Sequence, residues 1–563
     1  MIIVKSYRMV ILSFSLVLFL QPVGEISFKG NNTVSSKKLN HIISTKSDSI
    51  FSRTVVDHDR IAIIDYYRKQ GFFETKVLVS CQGDSLIDIN FEIEEGQRPR
   101  IDRIYYPVDS ATVYDHTDTR IGDFMLEERI LKDIVVVEDY LADNGHPFAK
   151  LRYNTLFSND TLFLFWDLKK GQRFFIRNTT IEGLENVPER LIRHSLVFKR
   201  GDLFSQKSIA ESQKNIYLLF LFRLVQFQYH PTKQGSIDIL ISLEEGRPFG
   251  VNLGLGFMTP NRLISSITFE NLNVMGSGNQ LVLPVVGWVN LGGEYSLTAS
   301  LEYQFLYPLN LPIAITFGPF IEREKRKVYG LFGYGAEGTI KRSFHSFLEV
   351  SLSYQYRKVS WQKIPLTEGL TNSITAKAIL DYRDHLLDPR KGIFFLPSIS
   401  YGGGFFGGDN NFVRYLADLR FFIPLPGFTY AWRLRAGEIF ELPGGLEIHE
   451  KYQIVSSSAL RGYPDYAIGP ESIGNDHYGS FLVGVQTEPR FHLGKFGLVA
   501  FLDLGTLLDN HNSFSIDVLE IGAGFGLRYL TPIGPIRLDW GKRMKNPEDN
   551  DKGIIYLTLQ HAF

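Results

Sequence analysis

The sequence predicts α+β repeats followed by an all-β half: three β-α-α-β-β units, then a 16-stranded transmembrane antiparallel β-barrel. Three observations carry this. Strand endings of one type recur at a fixed spacing in the first half. Long alternating segments follow one another in the second half, with no helical pattern between them. The 563 residues include 44 Phe, 27 Tyr and 50 Gly, yet mean hydropathy is only −0.05. Strands that alternate their faces reconcile many aromatics with average hydropathy, because only every second side chain of a membrane strand meets lipid.

Taken in chain order, Lys5 and Arg8 precede an apolar run from Met9 to Leu20. As a helix this run reaches about 18 Å, short of the roughly 30 Å hydrocarbon core. A positive flank and a short apolar core predict a secretory signal peptide over 1–24, with Gly24 as a small-residue cleavage candidate. The alternative is a buried first helix.

Next come the endings Glu94-Glu95-Gly96-Gln97-Arg98, Lys169-Lys170-Gly171-Gln172-Arg173 and Glu244-Glu245-Gly246-Arg247, whose glycines are 75 residues apart both times. Each follows an alternating strand: Ile87–Ile93, Leu162–Leu168 and Ile237–Leu243. Period two marks a strand with one buried face. Ile26-Ser27-Phe28-Lys29-Gly30-Asn31 and Ile181-Glu182-Gly183-Leu184-Glu185-Asn186 share an opening: a strand, a Gly turn, then a helical stretch. In the middle unit Tyr105-Tyr106-Pro107 replaces that turn. A second helix is expected around Asp59–Gln70, Leu126–Asn144 and Ser208–Leu219, followed by strands at Phe72–Ser80, Phe148–Tyr153 and Arg223–Tyr229. Gly71 and Gly145 suit helix C-caps. The dense apolar run Ile216–Phe222 is expected to be helix buried under a small sheet. The units then cover 25–98, 99–173 and 174–247, and the barrel 248–563.

From about Gly250 sixteen alternating segments are expected: 251–258, 262–272, 279–289, 293–306, 312–323, 328–341, 346–360, 372–384, 393–404, 411–423, 428–440, 478–491, 496–506, 517–531, 534–544 and 553–563. They exceed the usual soluble strand of about 5–6 residues and match the roughly 9–11 that span a bilayer when tilted. An even strand number suits a bacterial barrel. Turns after the second, fourth, eighth, tenth and fourteenth segments are short or rich in Pro and Gly, and the longest gap is Glu441–His477.

Charge and motifs exclude other classes. Lys+Arg is 60 against 61 Asp+Glu, so the basic excess of a nucleic-acid binder is missing. The lone Cys81 permits no internal disulfide and receives no role. Gly522-Ala523-Gly524-Phe525-Gly526 lacks the strand-to-helix context of a phosphate loop and reads as small inward-facing barrel residues. None of the 13 His forms an HxxxH pair, and no GxSxG occurs. No catalytic constellation, metal site or cofactor is expected.

Several stretches carry a resemblance. Leu460-Arg461-Gly462-Tyr463, inside the longest gap, resembles the Val-Arg-Gly-Phe/Tyr motif in the sixth extracellular loop of the BamA/TamA superfamily of outer-membrane assembly factors. Leu380-Asp381-Tyr382-Arg383-Asp384 with Asp388-Pro389-Arg390-Lys391-Gly392 resembles its mid-barrel strand-turn. Gly526–Tyr529 with Thr531–Asp539 resembles its hairpin of the fourteenth and fifteenth strands. The three repeats resemble POTRA (polypeptide-transport-associated) domains. Leu557, Leu559 and chain-final Phe563 resemble the C-terminal signal of outer-membrane barrels, with His561 departing from it. The resemblance implies that the loop folds into the barrel and that Arg461 meets acids on neighbouring strands. The matching acids are Glu488 and Asp503, which strand parity places on lumen faces.

The function so implied is insertion of outer-membrane β-barrel proteins, with the barrel in the bacterial outer membrane and the repeats in the periplasm. Unfolded clients would meet POTRA sheet edges by β-augmentation. They would also meet a seam between the first strand (Val251, Leu253, Leu255) and the last (Ile555, Leu557). Three repeats resemble the TamA type, which implies an inner-membrane-anchored, periplasm-spanning partner and contact with outer-membrane lipid. Two alternatives stay open: a two-partner-secretion translocator that exports protein through the lumen, and a passive porin.

Overall fold

The computed structural model describes residues 21–107, 110–158, 161–232, 234–258, 262–344, 347–364, 368–531, 534–545 and 552–559. The apolar N-terminal run, His561 and Phe563 lie outside them.

The first repeat is β1 (Val23–Lys29), α1 (Ser36–Ile42), α2 (Arg53–Lys69), β2 (Lys76–Gln82) and β3 (Ile87–Glu94). The second is β4 (Ile101–Tyr105), α3 (Ser110–His116), α4 (Glu127–Asp143), β5 (Lys150–Ser158) and β6 (Thr161–Lys169). The third is β7 (Phe175–Glu182), α5 (Glu189–Ser195), α6 (Gln206–Tyr217), β8 (Phe222–Pro231) and β9 (Ser236–Glu245). Each sheet places its last strand in the centre: β1-β3-β2, β4-β6-β5 and β7-β9-β8. The outer strands pair parallel on one side (β1, β4) and antiparallel on the other (β2, β5). A central strand needs its whole alternate row apolar. Ile87, Ile89, Phe91 and Ile93 are accordingly buried with Val56, Ile63 and Tyr67 from one face of α2.

The shared ending and the shared opening are two halves of one device. In the first repeat Glu95 accepts hydrogen bonds from the amide and hydroxyl of Thr33 (both 2.8 Å) and the hydroxyl of Tyr67 (2.8 Å). In the third, Glu245 accepts from the amides of Glu185 (2.8 Å), Asn186 (3.0 Å) and Val187 (2.8 Å). The preceding Gly30 and Gly183 have φ of 79° and 87°. A Cβ on either would collide with the carbonyl oxygen of Ile93 or Leu243. The middle repeat has Lys170 where this glutamate stands, and no Gly turn to secure.

Several expectations need correction. β1 starts at Val23, a fully buried core residue, so a boundary after Gly24 would cut into this strand. α2 starts at Arg53, six residues before the expected Asp59. Asp59 lies on its buried face, where its carboxylate binds the amides of Ser44 (2.6 Å) and Thr45 (3.0 Å). Asp133 does the same for Asp118 and Thr119 in the second repeat. The run Ile216–Phe222 is the end of α6, a turn through Phe220 at φ 56°, and the start of β8. Its residues are apolar because Ile216, Leu219 and Leu221 all reach the core.

The barrel sheet is antiparallel and runs β10 (Phe249–Met258), β11 (Arg262–Asn271), β12 (Gln280–Asn290), β13 (Tyr295–Ser300), β14 (Glu302–Leu306), β15 (Ala314–Lys325), β16 (Gly330–Phe344), β17 (Leu348–Gln362), β18 (Gly369–Asp381), β19 (Gly392–Gly402), β20 (Phe412–Leu425) and β21 (Phe428–Glu441). The long gap follows, holding α7 (Ser456–Ala459), β22 (Glu471–Ile473) and β23 (Asp476–Tyr478). The sheet then resumes with β24 (Phe481–Leu493), β25 (Phe496–Leu508), β26 (Glu520–Thr531), β27 (Gly534–Arg543) and β28 (Ile554–Leu559). Its 17 segments make sixteen staves, because β13 and β14 both pair with β12 and β15 and are parted only at Leu301. Pro284 on β12 and Pro319 on β15 flank that point, and neither has an N–H to give the ladder. Faces alternate on β26, where Phe525, Leu527 and Tyr529 are exposed outward, whereas Arg528 is buried.

Candidate functional site

The long gap between β21 and β24 folds back inside the barrel, and its motif ends in a cluster of buried charges. Leu460 is buried against Ile454, Tyr463, Leu482 and Leu507. This fixes the backbone so that Arg461 points at the barrel wall with its side chain fully buried. Its Nε and Nη2 donate to the two carboxylate oxygens of Asp503, each at 2.7 Å. Its Nη1 donates to Glu488 at 2.6 Å and to Asp539 at 3.1 Å. The Arg461 amide adds a bond to Asp503 at 3.0 Å. The guanidinium lies 3.5 Å from the ring centre of Phe501. Bidentate charge-assisted bonds in a water-poor interior are the strong kind, and an aromatic face adds cation–π attraction.

The wall supplies these acids by parity. Glu488 on β24, Asp503 on β25 and Asp539 on β27 all face inward and are fully buried. Arg490 holds Glu488 at 2.8 Å, and Arg528 and Arg537 pair with Asp539. The glycine run on β26 clears room for the loop, since a Cβ on Gly522 would collide with the Arg461 carbonyl. Gly462 donates its amide to the Tyr556 hydroxyl on β28 at 2.9 Å, and the Tyr463 hydroxyl donates to Glu520 at 2.8 Å.

The sequence named Glu488 and Asp503, and both lie against Arg461. It missed Asp539, although parity with Arg537 on a strand already picked out for the hairpin offered a signal. It also missed Glu450, a buried loop carboxylate held by Arg414 (2.8 Å), Arg357 (3.3 Å) and Thr371 (2.9 Å). No local pattern marks that residue.

The seam residues sit at the two ends of the sheet. Val251, Leu253 and Leu255 of β10 and Ile555 and Leu557 of β28 are exposed apolar side chains. Cα atoms of the two strands come within 8 Å of each other, yet no ladder joins them among the described residues. Leu559 is the last residue of β28, paired with Ile536.

Comparison with known proteins follows these features. An "Omp85 superfamily domain" model matches residues 273–563, and a POTRA model, "Surface antigen variable number repeat", matches 21–96. The outer membrane protein assembly factor BamA of Neorickettsia risticii is 23% identical over 573 residues, covering 92% of this chain and 75% of that protein. BamA of Nitratidesulfovibrio vulgaris is 22% identical over 587 residues, covering 94% and 71%. The crystal structure of BamA from Haemophilus ducreyi lacking POTRA domains 1–3 superimposes with a TM-score of 0.60 at 16% identity, covering 82% of this chain and 99% of that one. The chain therefore belongs to the Omp85 superfamily, as an outer-membrane β-barrel preceded by periplasmic POTRA repeats.

Proposed function

We propose that the protein is an outer-membrane protein assembly factor that inserts unfolded β-barrel clients. The observation that carries this reading is the seam: two neighbouring edge strands, apolar outward, with no ladder between them among the described residues. Unpaired edge groups template an incoming strand. In the repeats, β2, β5 and β8 are sheet edges available for β-augmentation. The names of the BamA relatives support the same reading. Arg461 serves the fold, holding the loop to the wall that carries Glu488 and Asp503, and does no chemistry. The three repeats in this chain support the TamA type, with an inner-membrane-anchored partner and contact with outer-membrane lipid. Depletion followed by outer-membrane proteomics tests the reading, and broad loss of barrel proteins is the expected result.

One observation favours a second reading. Strands β13 to β18 line one side of an open lumenal cavity of about 600 Å³ with mostly Ser, Thr, Glu, Gln, Lys and Arg side chains. Such a wall suits an extended polypeptide in transit, as in a two-partner-secretion translocator. Loss of a single secreted protein on depletion would favour it.

A further inference from the structure

The same loop reaches the other side of the seam. Asp465 Oδ2 lies 3.1 Å from Arg262 Nη1, with both side chains almost wholly buried. Arg262 is the first residue of β11, which pairs with β10 in unbroken register from Phe249↔Asn271 to Met258↔Arg262. Its guanidinium stacks 4.4 Å from Trp288 on β12 and 5.1 Å from Tyr466, whose hydroxyl also accepts from Nη1 at 3.3 Å. Tyr466 holds this position at φ 61°, a conformation bulky residues adopt only under constraint. The other oxygen of Asp465 accepts the Ser456 amide at 2.8 Å. The Ser456 hydroxyl is 2.8 Å from the hydroxyl of Tyr556 on β28, which also takes the Gly462 amide.

One short segment, 456–466, thus grips the last strand through Ser456 and Gly462 and the first hairpin through Asp465. We infer that this segment is a strap across the seam inside the lumen, and that Asp465 is the positioning residue fastening it to the β10–β11 hairpin. The inference rests on the proposed insertion of clients at the seam. Separating β28 from β10 must lengthen the path Tyr556–Ser456–Asp465–Arg262. The bonds to Tyr556 join neutral groups, whereas the Asp465–Arg262 contact is an ion pair closed off by the rings of Trp288 and Tyr466. The Tyr556 end therefore releases first. β28 swings away while the first edge stays at a fixed height for an incoming strand.

Full-length protein in vesicles of outer-membrane lipid tests this. Cys81→Ser clears the native thiol, and spin labels on Leu255→Cys and Ile555→Cys report the seam width by pulsed electron resonance. Asp465→Asn shifts the distribution to longer distances, and the exchange Asp465→Arg with Arg262→Asp restores it. Arg262→Lys, which keeps the charge but not the reach, gives a smaller shift and serves if Asp465→Asn does not fold. An unchanged distribution in a folded Asp465→Asn or Arg262→Lys barrel overturns the strap, as does a shift the exchange fails to reverse. Client insertion is read in the same vesicles. A seam that widens as expected in Asp465→Asn, with no client insertion even by the unsubstituted protein, sinks the assembly reading and leaves the strap standing.

Discussion

At the scale of single residues, charge pairing decides most. Arg461 is surrounded by Glu488, Asp503 and Asp539, all without solvent. Removing one partner of a buried ion pair costs about 3–5 kcal/mol, and here the group left desolvated without its counter-charge is Asp503, which Arg461 holds through three hydrogen bonds. Arg461→Ala is therefore expected to lower barrel stability by about that amount, read as a lower transition temperature in heat-modifiable gel migration. Arg461→Lys should rescue little, since an ammonium cannot make the planar fork to Asp503. Normal migration in both variants would contradict this. Glu95 gives a pH prediction. Burial pushes its carboxyl up, but hydrogen bonds from Thr33 and Tyr67 outweigh that and hold it below the usual 4.5. Its contribution is thus complete above about 4.5 and lost as pH falls through the lowered folded value. Glu245 behaves alike through the amides of Val187, Glu185 and Asn186. Hydrogen exchange on the whole protein should show the turns at 32–34 and 185–187 losing protection on acidification. Glu95→Gln should abolish the effect in the first turn only.

Elements obey local rules and break where a neighbour overrules them. Gly183 and Gly171 both have positive φ, 87° and 70°. A Cβ at Gly171 meets nothing within 4 Å, whereas at Gly183 it strikes the Leu243 backbone. Gly171→Ala should cost about 1–2 kcal/mol for the left-handed backbone alone. Gly183→Ala should cost more and also loosen the Glu245 turn. Equal denaturation midpoints for the two would show that the close approach carries no energy. The repeat order and the sixteen staves were legible because a buried face repeats every two residues in a strand and nearly four in a helix. Three details were not. The early start of α2 hides because Asp59 looks like a surface residue until its turn amides are in place. The break at Leu301 sits beside Pro284 and Pro319, which belong to the neighbouring strands and lack a ladder N–H. The run Ile216–Phe222 is apolar whether helix or strand, so composition could not divide it.

For the molecule as a whole, which way a residue faces matters more than what it is. Leu527 on β26 points outward and Thr339 lines the lumenal cavity. Leu527→Arg should cost about 2–4 kcal/mol if it lies near the bilayer midplane. Thr339→Arg should leave folding unchanged, because the lumen already holds Lys341 and Arg357. Gel migration of both variants separates the cases, and equal losses would refute the assigned facing.

By itself the sequence determined the architecture: repeat length, strand number, strand parity, and the motif that carries Arg461. These are written in short-range periodicity, which folding preserves. Only the tertiary structure decided what the loop meets. Asp539, the anchor of Glu450, and the pairing of Asp465 with Arg262 join residues far apart in sequence. Their apposition comes from sheet closure and the return of the loop into the lumen, and no local pattern records which inward-facing charges those two events bring together.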